Sequence, residues 1–120
     1  MVNLDTHILI DAIQNRIRPS EKVLLDDFWT ISGIILWEIA FLERAGRIRI
    51  RVDDPRLTGL LANMTVWPID LDVARAMRLL DFRSDPADEI IAATSIVHGV
   101  PLLTRDTRIL VSKAVPLAVA

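Results

Sequence analysis

Four acidic residues, Asp5, Glu38, Asp88 and Asp106, stand where carboxylates can come to share one site. Asp5 and Asp106 each follow a short apolar stretch, Asp88 falls in the first turn of a helix opened by Pro86, and Glu38 interrupts an otherwise apolar helix. Like charges gathered in one crevice repel, and their pKa values rise unless a cation neutralises them. An all-oxygen, net negative pocket suits a hard octahedral ion such as Mg²⁺ or Mn²⁺. Such an ion lowers the pKa of a bound water, orients it for in-line attack on phosphorus and stabilises charge on the leaving oxygen. Other chemistries find little support. The chain has no cysteine, which removes thiolate ligands and thiol catalysis, and its four glycines form neither a phosphate-binding loop nor a nucleophile elbow.

Each acid also has a purely structural reading. Asp5 and Asp106 can serve as helix N-caps. Asp85 and Asp88 have the spacing of a capping box, with Asp85 expected to bond the first-turn amides. Glu38 is harder to explain this way: an acid between Trp37 and Ile39 must be paired, solvated through a cleft or bound to a cation.

The elements that would position these acids alternate in type. Met1 to Leu4 reads as a strand leading into a helix at Asp5-Thr6 that carries Ile8, Leu9, Ala12 and Ile13. Pro19-Ser20 opens a second short helix with Val23, Leu24 and Phe28 on its inner face, and Trp29 to Ser32 is a strand. From Gly33 to Ala45 the pattern is that of a buried helix ended by Gly46, and the alternation from Arg47 to Val52 resembles a half-exposed strand. Asp54-Pro55 opens a helix through Leu57, Leu60 and Leu61, and Thr65 to Ile69 is a strand. Asp70 caps a helix turning Val73, Ala74, Met77 and Leu80 inward. Ser84-Asp85-Pro86 opens another that runs to His98 and stops at Gly99, followed by a strand from Val100 to Thr104, a helical turn from Asp106 and a short strand over Val115 to Val119. With no tight hairpin signal, this order predicts one domain over residues 1–120: a three-layer α/β/α sandwich with a mainly parallel central sheet. Ligands of such sheets bind at the carboxyl ends of the strands, where Asp5 and Asp106 fall.

Apolar residues make up 52% of the chain, enough for a core of Leu, Ile, Val and Ala. No apolar run approaches the roughly 18 residues that span a bilayer, so the expectation is a soluble, cytoplasmic protein without a cleaved leader. Twelve of the fourteen basic residues are Arg, and Arg44, Arg47, Arg49, Arg51 and Arg56 lie close together. That stretch is either a solvated edge or a surface for phosphates or an acidic partner. Trp29, Trp67 and Phe82 are candidates for apolar surface covered by self-association or a partner, with a core position the competing assignment.

The residues together resemble the PIN domains, and within them the VapC-type toxins of toxin–antitoxin pairs. The resemblance rests on Leu4-Asp5-Thr6-His7, on Ile31-Ser32 with Leu36-Trp37-Glu38-Ile39-Ala40, on Asp85-Pro86-Ala87-Asp88 with Ile91-Ala92-Ala93-Thr94, and on Leu103-Thr104-Arg105-Asp106. It implies an Mg²⁺- or Mn²⁺-dependent endoribonuclease with Asp5, Glu38, Asp88 and Asp106 as its acidic site. Asp5 and Asp88 would bind the metal directly, Asp106 directly or through water, and Glu38 through water, with Thr6 and Thr104 as supporting hydroxyls. It also implies a VapB-like antitoxin, an RNA substrate and a homodimer. Glu89 departs from the usual pattern, in which a basic residue often follows the third acid, and is expected to add negative charge near the site. His7 is expected at the pocket rim or on the helix surface, and His98 to favour the negative end of its helix. Two other readings stay open: a catalytically idle module that binds RNA or protein through its Arg-rich stretch, and a metal phosphohydrolase acting on DNA or a small phosphoester.

Overall fold

The computed structural model describes residues 1–119. Its sheet has four parallel strands, β1 (Val2–Leu4), β2 (Trp29–Ser32), β3 (Thr65–Trp67) and β4 (Leu102–Leu103), in the order β3-β2-β1-β4. Asn3 of β1 lies opposite Thr30 on one side and Leu102 on the other, and Ile31 of β2 lies opposite Val66 of β3. Parallel neighbours need crossover connections, and helices supply them. These are α1 (Thr6–Ile13), α2 (Pro19–Lys22), α3 (Ile34–Arg44), α4 (Pro55–Leu61), α5 (Leu71–Ala76), α6 (Pro86–His98) and α7 (Thr107–Leu110), with a 3₁₀ turn at Met77–Leu79. The architecture is the expected three-layer α/β/α sandwich. Among the described residues no helix is long and apolar enough to cross a membrane.

Local chemistry sets the helix boundaries. Pro19, Pro55 and Pro86 occupy first helical positions, where the missing N–H is not needed. Asp5, Asp54, Asp70 and Asp106 each accept a backbone N–H at a helix start. Gly99, at φ +63°, closes α6 in the left-handed conformation that glycine adopts at least cost.

The core is aliphatic, with Leu4, Ile8, Leu9, Ile31, Ile35, Ile39, Ile91, Leu102 and Ile109 all fully buried. At its centre lies a polar cluster that the sequence does not announce. Asn3 points to the opposite face of β1 from Val2 and Leu4. Its Nδ2 donates to Ser95 Oγ at 2.9 Å, and its Oδ1 accepts from Thr30 Oγ1 at 3.1 Å. All three residues are completely buried. The cluster therefore ties β1, β2 and α6 together beneath the strand ends, where slippage would misplace anything carried there.

Several expected elements differ. The helix from Pro19 ends at Lys22, which leaves Val23 and Phe28 exposed while Leu24 and Leu25 pack on the core. No strand forms over Arg47 to Val52. Ile50 is buried, but the amide of Val52 bonds the side chain of Glu43 at 2.8 Å, so the alternation marks a loop with an apolar anchor. β3 stops at Trp67, with Ile69 exposed, and Ala76 takes the inward position expected of Ala74. β4 keeps two residues, and the segment after Val115 adds one bridge, Leu102 to Leu117, in place of a strand. Trp29, Trp67 and Phe82 are half-buried; the exposed aromatics are Phe28, Trp37 and Phe41.

Replacing Asn3 by Ala would strand the Ser95 hydroxyl and loosen that of Thr30, at a cost of about 3 kcal/mol. Urea denaturation should show a lower midpoint with an unchanged slope; a midpoint equal to that of the wild type would remove the cluster's structural role.

Candidate active site

Asp5 ends β1 and begins α1. Its Oδ1 accepts the amide of Thr6 at 2.8 Å, its Oδ2 accepts the hydroxyl of Thr104 at 2.6 Å, and the residue is buried. Thr104 follows β4 directly and in turn accepts the amide of Asp106 at 3.0 Å. One threonine hydroxyl thus links two acids on neighbouring strand ends. Asp106 caps α7 by accepting the amide of Arg108 at 2.8 Å. On the other side, the Thr6 hydroxyl donates to Glu38 Oε1, holding the acid of α3 against the start of α1.

Asp88 reaches the same place from the first turn of α6. Here the expected capping arrangement fails, because Asp85 makes no side-chain bond to the first-turn amides. Ser84 instead bonds the acids of that turn, its hydroxyl donating to Asp88 Oδ2 at 2.8 Å and its amide to Glu89 Oε2 at 2.9 Å. Glu89 is therefore engaged with the chain before the helix and does not line the cleft, while Asp85 does.

Asp5, Glu38, Asp88 and Asp106 all line a single cleft of about 650 Å³. Burial pushes the Asp88 carboxyl up to about 6; the Ser84 hydrogen bond opposes this, and the charges of Asp5, Glu38 and Asp106 add to it. His7, exposed on α1, stands at the rim. His98 lies away from the cleft, its ring stacked 3.7 Å from that of Trp67.

A second charged cluster was not anticipated. Arg105 Nε donates to Glu21 Oε2 at 2.7 Å, one of its terminal nitrogens donates to Glu21 Oε1 at 2.7 Å, and the other bonds Asp11 Oδ2. Glu21 is buried, and its hydrogen bonds from Arg105 lower its pKa. The cluster fastens the residue before Asp106 to α1 and α2. One signal for it was present: Asp11 interrupts a largely apolar helix and so calls for a partner. The burial of Glu21 is a tertiary outcome with no local mark.

The donor chemistry suits a hard cation, since oxygens of four acids meet in one cleft and Asp88 resists ionising without a counter-charge. Among the described residues no three acid or imidazole groups are drawn close enough to form a finished cage. Mg²⁺ tolerates this, because it keeps several waters and binds through one or two carboxylates. Asp5, Asp88 and Asp106 are the residues that could hold it, with Glu38 acting through a water.

An α/β/α sandwich with an acidic cleft at the carboxyl ends of its parallel strands is a fold built to bind a ligand at that edge. The chain belongs to the PIN domain family, which matches residues 2–114. No curated protein matches it in sequence. Solved structures resemble it, three of them as follows. VapBC2 from Rickettsia felis, bound to a DNA fragment from its promoter, has a TM-score of 0.76 at 17% identity and covers 98% of both chains. DNA-bound VapBC from Salmonella typhimurium has a TM-score of 0.70 at 20% identity and covers 98% of this chain and 96% of its own. A toxin–antitoxin complex from Klebsiella pneumoniae has a TM-score of 0.66 at 25% identity and covers 90% of this chain and 88% of its own.

The raised pKa of Asp88 has a consequence for stability in the metal-free protein. Its carboxyl ionises near pH 4 when unfolded and near pH 6 when folded, so the cost of charging it is absent below about pH 4 and complete above about pH 6. Asp88→Asn keeps an acceptor for Ser84 and removes that cost. In chelator, the variant should gain about 1.5 kcal/mol over the wild type between pH 4 and pH 7.5, allowing for solvent screening of a half-buried group. A gain independent of pH would show that the folded protein does not raise the pKa of Asp88.

Proposed function

We propose that this chain is an Mg²⁺- or Mn²⁺-dependent endoribonuclease and the toxin of a VapBC-type toxin–antitoxin pair. The observation that carries the reading is the meeting of Asp5, Glu38, Asp88 and Asp106, from four separate parts of the chain, in one cleft. Membership of the PIN domain family and the likeness to solved VapBC complexes support it. A VapB-like antitoxin would be the partner and a homodimer the working unit.

Asp5, Asp88 and Asp106 would hold the ion. When bound, it would activate a water and neutralise charge gathering on the phosphate. The chain's own residues supply the order. Thr104 and the amide of Thr6 fix both oxygens of Asp5, which sets the plane of its carboxylate. The Thr6 hydroxyl holds one oxygen of Glu38, and the other makes no hydrogen bond among the described residues, so it is free to orient a water. Asp88, which burial holds back from ionising, is the ligand whose charged form a bound ion would stabilise most. Arg47 also lines the cleft and can meet a phosphate oxygen.

Labelled small RNA incubated with the purified protein and Mn²⁺ should give discrete products that vanish with a chelator. Asp5→Asn preserves the size and capping of Asp5 but removes its charge, and should slow cleavage at least about 100-fold. Cutting that persists in the variant or without metal would overturn the assignment.

A further inference from the structure

We propose that Trp37 and Phe41 form a stacking platform that holds an unpaired RNA base beside the acidic cleft. The proposal rests on the ribonuclease reading above and adds to it how the strand is held.

The two residues are four apart on α3 and share a face. Their ring centroids are 5.5 Å apart with planes inclined by 23°, close to parallel. The helix does not need them for packing, because Ile35, Ile39 and Leu42 already form its buried stripe. Instead Trp37 is 58% and Phe41 49% exposed, an apolar area that a soluble domain gains nothing by showing to water. Both rings line the cleft that contains the four acids. Glu38 is the next residue after Trp37, so ring and acid belong to one helical turn.

Charge indicates what the rings receive. Of the two arginines lining the cleft, Arg105 is committed to Glu21 and Asp11. Arg47 forms no ion pair among the described residues and remains available to an anion. A strand lying with one phosphate at the acids and another near Arg47 would bring a base over the rings. Stacking on aromatic faces is sequence-tolerant, and a base inside a duplex cannot take part in it. The combination of flat rings, a free guanidinium and a site for cations fits a polyanion carrying planar groups better than it fits an apolar peptide.

The test uses a labelled short oligoadenylate, alone and paired with oligouridylate, against the full chain carrying Asp5→Asn to prevent cutting. The single strand should bind and quench the fluorescence of Trp37, assigned by difference from Trp37→Phe. Trp37→Ala and Phe41→Ala should each weaken binding about 10-fold, Trp37→Phe should restore most of it, and the duplex should bind more weakly with no such dependence. On the wild-type background the alanine variants should raise KM about 10-fold and leave kcat within about 2-fold. Equal binding and cleavage by Trp37→Ala and wild type would overturn the platform while the ribonuclease stands. Failure of the wild type either to bind or to cut any RNA would overturn both.

Discussion

Crowding Asp5, Glu38, Asp88 and Asp106 around one cleft costs electrostatic free energy, and the surrounding structure is arranged to hold them despite it. The hydroxyl of Thr104 bonds Asp5 and accepts the amide of Asp106, the hydroxyl of Thr6 holds Glu38, and Ser84 steadies Asp88. The clamp on Asp88 is local, that on Asp5 reaches between adjacent strand ends, and that on Glu38 joins α1 to α3. At Asp88, burial raises the pKa and the charges of Asp5, Glu38 and Asp106 add to it. A cation would be drawn to the cleft by the same charge that makes gathering the acids costly.

Beneath the acids, the polar cluster of Asn3, Thr30 and Ser95 binds the two central strands to α6. Beside them, Arg105 spans Glu21 and Asp11 and so anchors the loop that presents Asp106. Partly buried ion pairs contribute little net stability, but breaking one leaves a charge without a partner, so such a contact holds its geometry firmly. The precision of the cleft comes from these supports as much as from the acids themselves.

Much of this could be read from the order of residues, because the signals are local. Strand, cap and helix follow one another at Leu4-Asp5-Thr6 and again at Thr104-Arg105-Asp106, and Pro86 and Gly99 mark both ends of α6. Where the signal depends on tertiary partners, local reasoning fails. Arg47 to Val52 has the period of a strand, but no neighbouring strand is there to pair with it. Asp85 has the spacing of a cap but makes no cap hydrogen bond, and Ser84 instead donates to the side chains of Asp88 and Glu89. Trp37 and Phe41 look like core by type and lie in solvent, because α3 fills its buried stripe with Ile35, Ile39 and Leu42.

We propose that these carboxylates gather a cation at the carboxyl edge of the sheet. Crystals of the protein grown with Mn²⁺, measured for anomalous scattering at the manganese edge, address it most directly. The predicted result is a peak within ligand distance of Asp5, Asp88 or Asp106 that disappears in the Asp5→Asn protein. A cleft with no manganese in a crystal of the intact protein, or a peak confined to another surface, would contradict it.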